Sequence, residues 1–343
     1  MTDGPVIAVF LGAQALGDFV KYHLTAASVA RAIPDSRLYV IYRDDRPYKS
    51  LCTRLNPYVV DSAVLPPDTA QVAPLDWLDG DSPLPRPDLL LTPSMLEINR
   101  CLDRPPAFRF PDGEVEPLAR RLRDHGVDPD RWFAVLHVRE TGYTFRKGVD
   151  AARCADPLSY LPAIEALIEE HGGQVVRIGD SSMTELPAMA GLVDLSRTGD
   201  FADQAFALSR ARFFIGTDSG PTQLACAFKT PAATTNAVQF GVWNDGDVAL
   251  AKRFRIPGGR RVSTGELMDM GALNAHGKRP GGLEQSDNTA DELRAVAEHM
   301  LAATADSPAW RPPAKEVPAM PEEVVIPLAW RAMTDIGRVE VWP

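Results

Sequence analysis

The residues best placed for chemistry lie between residues 211 and 228, where a small-residue turn separates an apolar run from a helical segment. The run Phe213 to Ile215 predicts a buried strand, and a helix is expected to begin at about Pro221, with Ser219 placed to cap it. The backbone amides left free at that helix start belong to Gly220, Thr222 and Gln223. Together with the positive end of the helix dipole, they would form a phosphate or diphosphate site. An ordinary capped strand–turn–helix junction without a ligand is the other interpretation.

Three residues with short, oxygen-bearing side chains precede this helix: Thr217, Asp218 and Ser219. A carboxylate beside a diphosphate would repel it, so we expect Asp218 to bind sugar hydroxyls or to brace the turn by accepting backbone N–H groups. Thr217 and Ser219 are expected to contact the ligand. Gln223 can donate a hydrogen bond to the same ligand but carries no charge.

A second group of candidates follows the apolar run 133–138, which predicts another strand. Arg139 comes directly after it, where a guanidinium could bind phosphate through two parallel hydrogen bonds. A salt bridge across the cleft between two domains is the alternative. Arg146 and Lys147 could close on the pyrophosphate or could simply be solvated charges. Tyr143 could stack on a base or a sugar, or could pack against the protein.

Two carboxylates are candidates for a general base that takes the proton of an attacking hydroxyl. Asp18 follows the first predicted strand, and its alternative role is to cap a helix that begins at Phe19. Glu140 is the second candidate, because it neighbours Arg139 at the same strand end. Its alternative role is to orient Arg139. His137, alone on its strand, is expected to have a hydrogen-bonded structural role.

Composition and charge narrow the class of protein. The chain has 343 residues, 45% of them hydrophobic and 24% charged, as in soluble globular proteins. A net charge of -10 argues against nucleic-acid and anionic-membrane partners. The first residues lack a signal-peptide pattern and no apolar run is long enough to span a membrane, so we expect a cytoplasmic protein. The four cysteines and six histidines show no metal-ligand spacing, so we expect reduced thiols and no metal.

The apolar runs predict an α/β protein with two Rossmann-like halves, because strands and helices alternate in each. The predicted strands are 6–11, 38–42, 89–91, 133–138, 174–178, 193–195, 213–215 and 231–235. The predicted helices are 19–31, 116–125, 159–171, 203–210, 221 onward and 290–303. We expect an N-terminal domain over 1–126, a second domain over 127–311, and a tail over 312–343. That tail could pack back on the N-terminal domain and contain a helix at 328–335.

Four motifs in this order resemble those of GT-B glycosyltransferases, in particular bacterial heptosyltransferases and a related bacterial set. They are Leu16-Gly17-Asp18, His137 to Tyr143, Asp194 to Thr198, and Asp218 to Gln223. Gln223 stands where heptosyltransferases usually carry histidine. The resemblance implies two facing Rossmann-like domains, with the nucleotide-sugar donor bound by the second. It also implies that Gly179 and the segment Ser196, Arg197 and Thr198 border the nucleoside, although a plain tight turn would also explain Gly179.

The resemblance implies an inverting, metal-independent glycosyltransferase that uses a nucleotide-diphosphate sugar and no further cofactor. Asp18 or Glu140 would activate the acceptor, and Arg139, Ser219, Gly220 and Thr222 would hold the leaving diphosphate. The acceptor is expected to be a small molecule or an envelope glycan. Two other functions stay open at this point. One is a sugar-nucleotide 2-epimerase on the same scaffold, and the other is a non-catalytic protein that binds nucleotide sugars.

Overall fold

The computed structural model describes residues 4–13, 15–65, 83–91, 107–128, 130–141, 151–238, 247–270, 282–305 and 324–325. The chain divides into two compact units, Met1–Glu116 and Pro117–Pro343. The division falls inside helix Asp112–Asp124, beside Pro117, whereas the sequence predicted a boundary at residue 126.

The first unit contains a parallel four-stranded sheet. Its strands and helices, in chain order, are β1 (Val6–Leu11), α1 (Leu16–Ala32), β2 (Arg37–Arg43), α2 (Tyr48–Leu55), β3 (Val59–Leu65) and β4 (Leu89–Leu91). The strands lie in the order β3-β2-β1-β4. Strand β1 is apolar and almost wholly buried because it lies inside a parallel sheet. Neither α2 nor β3 was predicted from the sequence. Helix α2 is short, and β3 is only partly buried, with Val60 and Val64 exposed.

Helix α1 begins earlier than predicted, and this changes the interpretation of Asp18. The helix starts at Leu16 with Ala15 at the N-cap position, so the predicted start at Phe19 is wrong. Asp18 lies within the first turn with its side chain exposed, and it is not the N-cap. The alternative role of Asp18 as a helix cap is therefore excluded.

The second unit carries a larger sheet. After helix α3 (Asp112–Asp124), its elements are β5 (Phe133–His137), α4 (Leu161–Glu165), β6 (Gln174–Arg177), β7 (Leu192–Asp194), α5 (Leu195–Thr198), α6 (Phe201–Arg210), β8 (Phe213–Thr217), α7 (Gly220–Phe228), β9 (Ala232–Ala237) and β10 (Val248–Ala251). A π-helical turn, Ala166–Glu170, continues α4. These strands lie in the order β10-β9-β8-β5-β6-β7 and are parallel. Counted from β5 as the first strand, this is the 3-2-1-4-5-6 order of a doubly wound Rossmann sheet.

Smaller elements follow the main sheet. Strands β11 (Arg253–Arg255), β12 (Arg261–Val262) and β13 (Glu284–Ser286) form an antiparallel sheet beside helix α8 (Thr264–Asp269), and none of these was predicted. Helix α9 (Ala290–Ala303) was predicted, and a capping box between Thr289 and Glu292 fixes its start.

The described part of the C-terminal tail belongs to the second unit. Strand β14 (Val324–Val325) pairs antiparallel with β10 at the edge of the large sheet. The sequence had suggested that the tail packs back on the first unit, and these two residues do not support that. The predicted helix at 328–335 lies outside the described residues.

Arg212 is buried directly before β8 and holds the end of helix α9. Its guanidinium donates to Thr304 Oγ1 at 2.7 Å and to the carbonyl oxygen of Leu301, and it lies 5.2 Å above the ring centroid of Trp132. Burial lowers the pKa of Arg212 to about 9. The side chain thus supplies charged donors to two buried acceptors at the end of α9.

We predict that Arg212→Met lowers the free energy of unfolding by about 3 kcal/mol, because it removes two hydrogen bonds from a charged donor to the buried end of α9. Urea denaturation followed by circular dichroism measures this difference. A loss below about 1 kcal/mol would mean that water or a shifted helix end replaces the guanidinium.

Candidate functional site

The carboxyl ends of β5 and β8 lie side by side in the middle of the large sheet. These strands are first and fourth in the doubly wound order, so the chain direction of the connections reverses between them, and ligands of such sheets bind at this point. Gly216 pairs with His137, and a Cβ on Gly216 would lie 2.0 Å from the carbonyl oxygen of His137. The backbone N–H of Arg139 donates to Thr217 Oγ1 at 2.8 Å. The two strand ends are therefore joined directly.

The predicted phosphate site lies on the β8 side of this point. Helix α7 begins at Gly220, directly after the turn that follows β8, and Pro221 lies in its first turn. Ser219 occupies the N-cap position, but its hydroxyl donates to the carbonyl oxygen of Thr217 at 3.1 Å and does not cap the helix. Thr222 Oγ1 donates to the same carbonyl at 2.9 Å. The predicted capping role of the Ser219 side chain is wrong.

These hydrogen bonds show which backbone and side-chain groups of the turn could contact a phosphate. The side chain of Thr217 is fully buried and accepts from Arg139, and the hydroxyls of Ser219 and Thr222 are committed to Thr217. Any contact that Ser219 and Thr222 make with a phosphate would therefore come from their N–H groups, as at other helix N-termini. Gln223 is also buried, within the first turn of the helix.

Arg153 is a basic residue at this site that the sequence analysis missed. Its Nη2 donates to the carbonyl oxygen of Asp218 at 2.8 Å and lies 3.5 Å from Asp218 Oδ1. The side chain of Arg153 is 17% exposed. Asp218 is thus half of an ion pair, a partner that neither of its predicted roles had included. The N–H of Ala155 donates to the carbonyl of Arg139 and so returns the chain to the end of β5, a contact for which the sequence gives no local signal.

The residues predicted to border the nucleoside lie at the ends of β6 and β7. Gln204 of α6 joins them: its Oε1 accepts from Gly179 N at 3.0 Å, and its Nε2 donates to the carbonyls of Gly179 and Leu195. Gly179 has φ +152°, and a Cβ there would lie 1.9 Å from the sulfur of Met183. Arg197 Nη2 donates to the carbonyl of Met183 at 3.1 Å.

Helix α5 follows the end of β7 and carries the predicted residues Ser196, Arg197 and Thr198. Asp194 caps the helix by accepting from Ser196 N at 2.9 Å and from Ser196 Oγ at 2.6 Å. Ser196 is buried, whereas Arg197 and Thr198 are exposed. The structure thus brings Gly179, Ser196, Arg197 and Thr198 to neighbouring loops of one sheet edge.

Glu140 has other partners than the sequence suggested. Its Oε1 lies 3.0 Å from Arg177 Nη2, and its Oε2 accepts from Thr184 N at 2.9 Å and from the Thr184 hydroxyl. Both oxygens are therefore engaged. The alternative interpretation, in which Glu140 orients Arg139, is wrong because its carboxylate binds Arg177 instead.

His137 has the structural hydrogen bond expected of it. Its Nδ1 donates to the carbonyl oxygen of Ile178 at 3.1 Å, joining the ends of β5 and β6. Burial is the main cause that lowers its pKa to about 4, although the bond to Ile178 acts in the opposite direction. His137 is therefore neutral at pH 7.

We predict that His137 makes the protein sensitive to mild acid. The unfolded chain takes up a proton near pH 6.5 but the folded protein only near pH 4, so this contribution to stability is complete above pH 6.5 and is lost as the pH falls toward 4. By pH 5 the loss approaches about 2 kcal/mol. His137→Asn retains a side-chain N–H for Ile178 without titrating, so its unfolding free energy should fall less between pH 7 and pH 5. Equal falls in both proteins, measured by urea denaturation, would contradict the prediction.

Tyr143, Arg146 and Lys147 lie outside the described residues.

A separate group of side chains places three possible metal-ligating atoms within 4.8 Å of one another: Glu170, His171 and Glu298. Arg294 already lies between its two carboxylates, with Nη2 at 2.7 Å from Glu170 Oε2 and Nε at 2.9 Å from Glu298 Oε1. A guanidinium thus occupies the position that a cation would take.

Comparisons with known proteins support the fold. No protein-family model and no curated protein sequence matches the chain. The crystal structure of a glycosyl transferase family 9 protein from Veillonella parvula DSM 2008 matches with 12% identity and a TM-score of 0.55, over 88% of this chain and 98% of that one. The E. coli ADP-heptose lps heptosyltransferase II matches with 14% identity and a TM-score of 0.54, over 88% and 99%. At these identities the likeness establishes the fold: the predicted α/β class with GT-B architecture is confirmed.

Among the described residues, no helix is long and apolar enough to cross a membrane.

Proposed function

We propose that this protein is a glycosyltransferase that moves a sugar from a nucleotide-diphosphate donor to an acceptor hydroxyl. The observation that carries the proposal is the position of the helix α7 N-terminus. It follows β8 at the point where the connections of the second sheet reverse, directly beside the end of β5. That is where doubly wound sheets bind nucleotides, and uncapped helix amides there favour an anion.

The leaving diphosphate would be stabilised by backbone amides and by arginine. The N–H groups of Gly220 and Thr222 lie free at the start of helix α7, and Arg139 follows the neighbouring strand. The Asp218 carboxylate would by itself repel a phosphate at this site. The guanidinium of Arg153 pairs with this carboxylate and so offsets the repulsion. Positive groups fixed before the reaction stabilise the charge that develops on the leaving group.

Asp18 is the preferred general base. Its side chain is exposed in the first turn of α1, the helix that follows β1. It is therefore free of the capping role that competed with catalysis. Glu140 is the weaker candidate, because its two oxygens already bind Arg177 and Thr184. An inverting reaction, in which one base deprotonates the acceptor, requires only one such carboxylate.

The donor and acceptor are proposed by class. The heptosyltransferase II that shares this fold is named for ADP-heptose. Gln223 stands where such enzymes usually carry histidine, so the donor sugar here can differ. The net charge of -10 disfavours docking on an anionic membrane surface, and a small soluble acceptor in the cytoplasm fits it better than an envelope glycan. We propose that the reaction needs neither a metal nor a further cofactor.

A thermal-shift screen with ADP, GDP, UDP, dTDP and CDP in excess EDTA tests the proposal. A nucleotide present at 100 times its Kd should stabilise the protein by about 2.7 kcal/mol and raise Tm by a few degrees. A shift with one nucleotide would identify the donor class, and the corresponding nucleotide sugars can then be tested for release of that nucleotide. A flat response to all five would contradict the proposal. Conversion of the nucleotide sugar without any acceptor would indicate an epimerase.

A further inference from the structure

Arg177 joins the ends of three neighbouring strands through one buried guanidinium. It is the last residue of β6, which lies between β5 and β7, and its side chain is 0% exposed. Its Nη2 lies 3.0 Å from Glu140 Oε1, beyond the end of β5, and its Nη1 lies 3.2 Å from Asp194 Oδ2 at the end of β7. A planar guanidinium fits this arrangement because it presents donors in two directions.

Each of the two carboxylates uses its second oxygen to hold the next loop. Glu140 Oε2 accepts from Thr184 N at 2.9 Å, which fixes the loop after β6. Asp194 Oδ1 accepts from Ser196 N at 2.9 Å, which fixes the start of α5. One buried charge therefore sets the relative positions of both loops that are predicted to border the nucleoside.

Stability alone does not account for this arrangement. Burying a guanidinium between two carboxylates carries a desolvation cost, and apolar residues of similar volume often serve stability equally well. The cost is visible here, because Arg177 Nε is buried and has no hydrogen-bond partner among the described residues. What an apolar side chain could not do is hold Glu140 and Asp194 at fixed positions.

We propose that Arg177 is a positioning residue for the nucleoside half of the donor. This inference rests on the proposed function, since it assigns to Arg177 a role within the same donor site. Because its side chain is fully buried, Arg177 would not contact the ligand directly. It acts through Glu140 and Asp194, which keep the loops at Thr184 and Ser196 in the arrangement that a nucleoside binds, and such preorganisation lowers the entropic cost of binding.

The substitution Arg177→Met tests this role. Without the guanidinium, the carboxylates of Glu140 and Asp194 would repel each other and draw both loops out of place. We expect the Kd of the nucleoside diphosphate that gives the largest thermal shift to rise about tenfold or more. Losses of this size follow when a binding group is displaced because the residue that holds it in place has been removed. The Kd of inorganic pyrophosphate should change less than twofold, because the phosphate site lies at the ends of β5 and β8 instead.

Arg212→Met is the matched control, because Arg212 is also a buried arginine of the second unit but lies before the start of β8. Both variants are titrated by calorimetry at a temperature where circular dichroism shows them folded. If Arg177→Met does not fold, Asp194→Asn replaces it, since the amide keeps the acceptor for Ser196 but turns an N–H toward Arg177. Arg177→Lys should give an intermediate Kd, because an ammonium has a single charged centre.

Selective loss of nucleotide affinity in the Arg177 or Asp194 variant would support the inference. Unchanged nucleotide affinity, equal weakening of nucleotide and pyrophosphate, or the same loss in Arg212→Met would overturn it and leave the proposed function standing. If the unsubstituted protein bound none of the five nucleotides, the proposed function would fail, and the role of Arg177 with it.

Discussion

Asp18→Asn is expected to abolish most sugar transfer while leaving donor binding intact. The substitution keeps the size and polarity of the side chain but removes its ability to take a proton. Loss of a general base typically costs about 100-fold to 10,000-fold in rate. Because Asp18 lies on the first unit and the diphosphate contacts lie on the second, the Kd of the nucleoside diphosphate should stay within twofold.

The measurement is kcat for nucleotide release in the presence of acceptor, together with Kd by calorimetry. Asp112→Asn is the control, because Asp112 is likewise an exposed carboxylate in the first turn of a helix and its removal should cost only about 0.3–1 kcal/mol of helix-dipole energy. If Asp18→Asn retained full turnover, Asp18 would not be the base, and Glu140→Gln should be tested despite its bonds to Arg177 and Thr184.

Arg153→Met is expected to weaken nucleoside diphosphate binding by about 10-fold to 100-fold, the equivalent of about one hydrogen bond to a charged group. Two effects add in the same direction. The diphosphate loses a nearby positive charge, and the Asp218 carboxylate loses the partner that lies 3.5 Å from its Oδ1. Without that positive charge beside it, the Asp218 carboxylate would repel the ligand more strongly.

A double-mutant cycle with Asp218→Asn separates these two effects. If Arg153 acts mainly by neutralising Asp218, then Arg153→Met should cost much less affinity in the Asp218→Asn background. Equal costs in both backgrounds would indicate that Arg153 binds the diphosphate directly. If Arg153→Met had no effect on affinity, Arg153 would have no part in the site.

The sequence predicted the elements of the site well, because they depend on local patterns. The strand–turn–helix at Phe213 to Phe228 and the strand before Arg139 are where expected, since an apolar run specifies each strand locally and the small residues with Pro221 specify the helix start. The start of helix α9 was also predicted correctly, and in the structure a capping box between Thr289 and Glu292 fixes it.

The contacts that connect these elements could not be predicted. Arg177 meets Glu140 and Asp194 only because β6 lies between β5 and β7, and Arg153 reaches Asp218 from 65 positions away along the chain. Local rules also failed where a capping residue was expected to act by its type. Ser219 has the right type and position for a cap, yet its hydroxyl binds the Thr217 carbonyl, and Ala15 precedes α1 without any side-chain oxygen.

The most direct test of the central claim is to locate nucleotide binding by hydrogen exchange. The exchange of individual backbone amides is measured with and without the nucleoside diphosphate that gives the largest thermal shift. We predict slower exchange at the start of helix α7, at Gly220 and Thr222, and beside Arg139 at the end of β5. Binding of the nucleotide with no protection at these amides would place the ligand elsewhere and would contradict a diphosphate site at this sheet edge.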